Sequence, residues 1–205
     1  VSLSGASPAL PERRFFLCDP TLWAHLDAFF LIKAEQLYNV AETDATGDFD
    51  ICLGGSKEPV FAASVRPFGR APRELVLSLA RARNQPIACI TPCMELDGLC
   101  SKLEIRNKDG SLFGQLSPTG PDEYGVFKAS SKPLLTLQGD QENGRLVARL
   151  GNELVATATR DGDGEFLEVG VKPHIDPILV FLCVVGVVIF NPEEPESPSA
   201  TPCTT

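Results

Sequence analysis

The sequence predicts one β-rich domain: a sandwich or barrel of short strands that is completed by an apolar C-terminal helix. Three observations lead to this fold class. Apolar and polar residues alternate with a period of two through most of the chain, and turn-forming dipeptides separate the alternating segments. A long uncharged segment then follows the last of them. The first two features are typical of an all-β domain, and the third is typical of a helix buried inside one.

The chain has 205 residues, enough for one sizeable core with a short segment at each end. Residues 1–20 contain three prolines and little pattern, so we expect a flexible N-terminal segment. Residues 192–205 are rich in Pro, Glu, Ser and Thr and cannot bury a core, so we expect a disordered tail. The predicted domain is therefore 21–191.

The first half of the domain contains four segments with strand character. Residues 28–40 are apolar and favour a strand, and residues 74–79 alternate. Residues 49–53 also alternate, meet Gly54 and Gly55, and are followed by the apolar residues 60–63. This last arrangement predicts a β-hairpin.

The second half continues the same pattern. Segments 103–106 and 112–116 flank Asp109-Gly110, a strong hairpin signal. Further strands are predicted at 124–130, 134–138, 145–150, 153–159 and 165–171, with Gly151-Asn152 as the turn between the third and fourth of these.

Residues 178–190 carry no charge and no polar face. A bilayer span needs roughly 20 apolar residues, whereas a run of about 10–14 is more often a buried helix. Asp176 and Pro177 cap the front of the segment, and Pro192 closes its end. We predict a helix surrounded on all sides, for example by a closed sheet. A membrane-inserted helix and a strand remain open alternatives, because Val and Ile dominate the run.

Charge and motif content exclude several function classes. A formal net charge of −9 argues against a nucleic-acid partner and against purely electrostatic docking on anionic lipid. No Gly-rich phosphate loop is present, so no nucleotide is expected, and no catalytic constellation indicates an enzyme. The seven cysteines, an odd number, and the charged start of the chain predict free thiols in a reducing compartment.

Two groups of residues are candidate sites. Asp161, Asp163 and Glu165 alternate with glycines, and such carboxylates can converge on Ca²⁺, which prefers oxygen ligands. The alternative is a solvated hairpin turn. Cys89, Cys93 and Cys100 form the second group, with buried free thiols as the alternative to a modified cluster. A metal site is disfavoured there, because no paired Cys-x-x-Cys or His lies nearby.

The order of several short motifs resembles the phospholipid scramblase family. The resemblance covers residues 22–190 and rests on a series of weak matches in the right order. These are Leu-Trp-Ala-His-Leu-Asp followed by an aliphatic run at 22–37, Asp-Phe-Asp-Ile at 48–51, Val-Phe-Ala-Ala at 60–63, Glu-Leu-Val-Leu at 74–77, the three cysteines, Lys-Leu-Glu-Ile at 102–105, Phe-Gly-Gln at 113–115, the acidic stretch and the terminal apolar run.

The resemblance implies a tubby-like barrel of roughly twelve strands closed around a central C-terminal helix. It also implies a Ca²⁺ loop whose first, third and fifth positions match Asp161, Asp163 and Glu165. Phe166 stands where that loop has a turn residue, and Lys172 replaces its closing carboxylate, which predicts weak binding.

For Cys89, Cys93 and Cys100 the resemblance implies palmitoylation and attachment to the cytoplasmic face of a membrane, such as the plasma membrane. The implied activity is Ca²⁺-promoted, ATP-independent movement of phospholipids between leaflets, with a phospholipid membrane as partner. The alternative is a non-enzymatic tubby-like module that binds lipid headgroups or a partner protein.

Overall fold

A computed structural model describes residues 32, 34–41, 47–56, 58–68, 71–94, 100–128, 133–140, 145–160, 166–190 and 192. Over these residues the chain forms twelve β-strands, one α-helix and a short 3₁₀ helix at Ala80–Ala82. The strands are β1 (Gln36–Ala41), β2 (Gly47–Leu53), β3 (Pro59–Phe68), β4 (Ala71–Leu79), β5 (Pro86–Met94), β6 (Cys100–Asn107), β7 (Leu112–Gly120), β8 (Glu123–Phe127), β9 (Leu135–Asp140), β10 (Arg145–Leu150), β11 (Glu153–Arg160) and β12 (Phe166–Val171), and the helix is α1 (Pro177–Phe190).

The strands form one closed antiparallel barrel. Each pairs with its neighbours along the chain, and β1 pairs with β12 from Gln36 opposite Val171 to Ala41 opposite Phe166. Closure leaves no edge strand with unpaired backbone groups. The predicted roughly twelve-stranded barrel with a C-terminal helix is confirmed. The predicted segments 1–20 and 192–205 lie outside the described residues, apart from Pro192.

Helix α1 fills the barrel. All its residues from Pro177 to Val187 are buried, whereas Val188 is 45% exposed where the helix leaves the barrel. Side chains from alternate positions of the strands, such as Leu75 and Leu77 on β4, complete the core around it. The predicted buried helix is confirmed, and the alternative that these residues form a strand is wrong, because the surrounding sheet already contains all its strand partners.

The linkage into the helix is fixed by hydrogen bonds. The Lys172 N–H donates to the Val155 carbonyl and the His174 N–H to the Ile32 carbonyl, both at 2.9 Å. Asp176 is buried, and its carboxylate accepts a hydrogen bond from the Ile178 N–H at 2.9 Å. It therefore caps the first turn of α1, as the sequence indicates.

Several strand predictions were incomplete. The pattern gave no strand at 86–94, where β5 lies, and it ended the strands at 60–63 and 112–116 well before β3 and β7 end. Conversely, the strand predicted at 124–130 is shorter, because β8 ends at Phe127. The turns at Gly55, Gly110 and Gly151 are confirmed, and each glycine has a positive φ, between 61° and 82°.

Candidate functional site

The two ends of the barrel are chemically different. The helix-start end is where β12 ends at Val171 and α1 begins at Pro177. The helix-exit end is where β5 ends at Met94, β6 begins at Cys100 and α1 ends at Phe190. Strand direction also assigns the connection 161–165, between β11 and β12, to the helix-exit end.

Cys89 and Cys93 lie on the outer wall of the barrel. They alternate on β5 with Ala88 and Ile90, which belong to the core, so both thiols face outward and are half-buried. Cys100, the first residue of β6, is half-buried at the helix-exit end and packs against the core. The structure therefore places the three candidates within neighbouring strands rather than in a loop between strands.

The surroundings of these thiols keep them protonated. Burial raises the pKa of Cys89, and the Glu74 carboxylate raises it further. Burial also raises the pKa of Cys93, with a smaller contribution from Glu104. For Cys100 burial again dominates the raised pKa, and its thiol contacts the Lys102 carbonyl oxygen at 3.5 Å. Since the thiolate is the nucleophile, none of the three is activated for spontaneous reaction at neutral pH.

Sequence patterns did not reveal the groups that share this wall. Thr91 lies between Cys89 and Cys93 and is 7% exposed, and its side chain lies near enough to the Cys89 thiol to lower the pKa of that thiol slightly. Glu104 stands directly opposite Thr91 on β6 and pairs with Arg106. These contacts depend on cross-strand register, which the sequence alone does not give for β5.

The predicted cation ligands Asp161, Asp163 and Glu165 lie outside the described residues. Their flanks are described. Phe166 to Val171 form β12, and Lys172 follows it, half-buried. Strand β12 therefore lies inside the twelve-residue span 161–172 that a Ca²⁺ loop of the implied kind would occupy. Any Ca²⁺ ligands would have to come from the five-residue connection 161–165 and from residues near it. Within the described residues, no group of three or more His, Cys, Asp or Glu side chains is arranged to hold a metal.

Among the residues that the structure describes, few polar groups lie inside the barrel. Tyr38 donates a hydrogen bond to the Gln36 side chain, and its ring meets Phe181 edge-on at 5.0 Å. Burial raises the pKa values of Tyr38 and Cys183, and the buried Asp176 carboxylate raises both further. Both groups therefore stay neutral.

Among the described residues, no helix has the length and apolar character required to cross a bilayer.

The comparisons with known proteins bear on the fold. No family model and no curated protein matches the sequence. The X-ray structure of the Arabidopsis thaliana protein AT5G01750 is similar, with a TM-score of 0.57, 16% identity, and coverage of 79% of this chain and 93% of that one. At this identity the similarity supports the architecture alone: the chain is a closed twelve-stranded antiparallel barrel with a C-terminal helix inside it, a fold it shares with that plant protein.

Proposed function

We propose that this chain is a phospholipid scramblase-like protein that works at a membrane surface and promotes Ca²⁺-dependent, ATP-independent movement of phospholipids between leaflets. The observation that carries the proposal is the closed barrel around an apolar C-terminal helix, the fold that the motif order implies. A second observation adds support. Cys93, Cys100 and the connection 161–165 all belong to the helix-exit end, where acyl chains and a bridging cation could act together.

In this proposal Ca²⁺ would be held by Asp161, Asp163 and Glu165. The neighbouring connection, 42–46, carries Glu42 and Asp44 and follows Ala41, the register partner of Phe166. Carboxylates from this second connection are candidates for the ligands that Lys172 fails to supply. The cation would relieve repulsion among the carboxylates and link the acidic end to anionic headgroups.

We expect Ca²⁺ to bind weakly, with Kd on the order of 10⁻⁴ to 10⁻³ M, because the closing acid is missing. The double substitution Asp161→Asn and Asp163→Asn should abolish both the Ca²⁺-dependent thermal shift and the Ca²⁺-dependent loss of leaflet asymmetry of a fluorescent lipid in vesicles. Glu58→Gln with Glu153→Gln is the matched control, since it removes two exposed carboxylates at the helix-start end. No lipid movement at millimolar Ca²⁺ by folded protein would contradict the scramblase proposal.

The attachment is proposed to be S-acylation of one or more of Cys89, Cys93 and Cys100. Acyl chains add about 0.8 kcal/mol of membrane affinity for each buried CH₂ group. Because the thiols have raised pKa values, transfer of the acyl chain from a thioester donor, with release of the donor's thiol, would require an acyltransferase.

Acyl exchange followed by mass spectrometry of protein from cells should find label on at least one of these three residues. Cys183, buried within α1, is the internal control and should carry none. All three thiols free on membrane-bound protein would remove acylation as the anchor.

A second candidate function is a binding module that docks on lipid headgroups or on a protein while the barrel stays closed. The burial of α1 favours it. Eight large apolar side chains of α1 are buried, and exposing them would cost roughly 12–24 kcal/mol, against about 5–15 kcal/mol for the whole stability of a domain. Insertion of this helix into a bilayer would have to pass through that exposure and would leave the barrel interior unfilled, so it is opposed. Binding of the protein to vesicles without movement of lipid between leaflets would favour the binding module over the scramblase.

A further inference from the structure

Part of the rim at the helix-start end is basic. The β4–β5 and β6–β7 tips carry Arg81, Arg83 and Lys108, and Lys128 directly follows β8 on the same rim. Neighbouring strands lie about 4.8 Å apart, so alternate tips are separated by roughly 10 Å and the four cations follow one continuous arc. We call the arc formed by these residues the basic rim.

The acids near the basic rim do not neutralise it. Asp50 pairs with Arg83. Asp109 accepts hydrogen bonds from the Ser111 hydroxyl and backbone, which lower its pKa, so it stays ionised beside Lys108. Four cations against these two carboxylates leave a surplus of two positive charges on the arc, and Lys57 and Glu58 of the neighbouring β2–β3 connection offset each other in sequence.

An exposed apolar side chain lies within the basic rim. Leu112, the first residue of β7, is 51% exposed, the largest exposed fraction among the large hydrophobic side chains of the described residues. It follows the turn that carries Lys108, and it lies between that turn and Lys128 along the rim. Cations flanking an apolar side chain are the combination that membrane-interfacial surfaces use.

The opposite end has the opposite charge. The six connections at the helix-exit end, 42–46, 69–70, 95–99, 121–122, 141–144 and 161–165, carry nine Asp or Glu residues in sequence against one basic residue, Arg70. The net charge of −9 is therefore unevenly distributed along the barrel axis. The chain as a whole repels an anionic surface, but the basic rim is the part of it that such a surface attracts.

We propose that the basic rim docks directly on an anionic lipid bilayer, with Arg81, Lys108 and Lys128 at the headgroups and Leu112 in the interface. A row of hairpin tips along one rim can touch a planar surface simultaneously. The inference goes beyond the proposed function, because it needs neither Ca²⁺ nor acylation and it turns the opposite end of the barrel toward the membrane. It also fixes an orientation: Cys93 and Cys100 lie at the other end of a helix about 21 Å long, so acyl anchoring would hold the barrel the other way round.

The test is co-sedimentation of purified, unacylated protein with phosphatidylcholine vesicles, with and without phosphatidylserine, in EDTA. We expect binding only to vesicles that contain phosphatidylserine, weakening as salt is added. Arg81→Gln with Lys108→Gln should lower the partition coefficient about tenfold or more. The matched control, Arg66→Gln with Arg145→Gln, removes the same charge from exposed positions at the helix-exit end and should change it less than about twofold.

Leu112→Ala should lower the partition coefficient about threefold, whereas Met94→Ala, 43% exposed at the other end, should leave it unchanged. Equal losses in the two charge variants, no binding in EDTA, or binding to soluble polyglutamate as strong as to vesicles would overturn the inference. Docking through the basic rim without lipid movement would support the inference and contradict the scramblase proposal. Lipid movement at millimolar Ca²⁺ by a protein that does not bind phosphatidylserine vesicles in EDTA would overturn the inference and leave the scramblase proposal standing.

Discussion

Val184→Asp is expected to leave no folded domain. Val184 is 2% exposed on α1 inside the closed barrel. An aspartate there would be a buried charge without a partner, which costs several kcal/mol, a large share of the about 5–15 kcal/mol that stabilises a domain. Far-UV circular dichroism and thermal melting should show loss of the cooperative transition. Val185→Asp, at 4% exposed, should behave in the same way.

Val188→Asp is the control for this prediction, because the same change is made one helical turn later. Val188 is 45% exposed where α1 leaves the barrel, so the carboxylate can remain hydrated. We expect a loss of about 1 kcal/mol or less, since only an unfavourable interaction with the helix C-terminus is added. A soluble Val184→Asp protein with an unchanged melting temperature would contradict the internal position of the helix.

Phe181→Ala should be the second largest effect, at about 3–5 kcal/mol. Phe181 is fully buried, and its ring lies 5.0 Å from Tyr38 and 5.7 Å from Phe61. These three aromatic rings join α1 to β1 and β3, so truncation removes packing on both strands and leaves a cavity. Denaturant unfolding measures the loss.

Phe166→Ala, made at a position that is 40% exposed, is the matched control and should cost less than about 1 kcal/mol. If Phe181→Ala cost no more than this control, the aromatic cluster could not be part of a tightly packed core.

The fold class was predictable because period-two alternation and an apolar terminal run are strong local signals. Proline accounts for part of what the pattern missed. β3, β5 and β7 contain Pro67, Pro92 and Pro118, and each proline lies at or next to a shift in strand register. Proline lacks the N–H that a ladder needs, so sequence rules end a strand there, whereas a barrel accommodates it at an irregularity.

The candidate site was predictable only in part. The sequence identified Cys89, Cys93 and Cys100, but the outward position of the first two follows from their alternation with Ala88 and Ile90 in a strand that the pattern did not predict. The contact of Cys93 with Glu104 likewise needs the β5–β6 register. Asp161, Asp163 and Glu165 lie outside the described residues, so Ca²⁺ binding stays a prediction.

The basic rim is a property of topology rather than of any motif. Arg81, Lys108 and Lys128 are far apart in sequence and lie in unrelated contexts. They share one rim only because antiparallel strands in sequence order return every second connection to the same end. The overall charge of −9 argued against electrostatic docking on anionic lipid, because a net charge does not show how charges are divided between the two ends of the barrel.

The position of α1 inside the barrel can be tested by hydrogen exchange of its backbone amides, measured by mass spectrometry on the folded protein without lipid. A helix enclosed by a closed barrel can exchange only when the barrel opens. Amides from Phe181 to Val187 should therefore exchange no faster than those of β4 and β5, at a rate set by global unfolding. Rapid exchange of these amides while the strands stay protected would show that the helix is not inside the barrel.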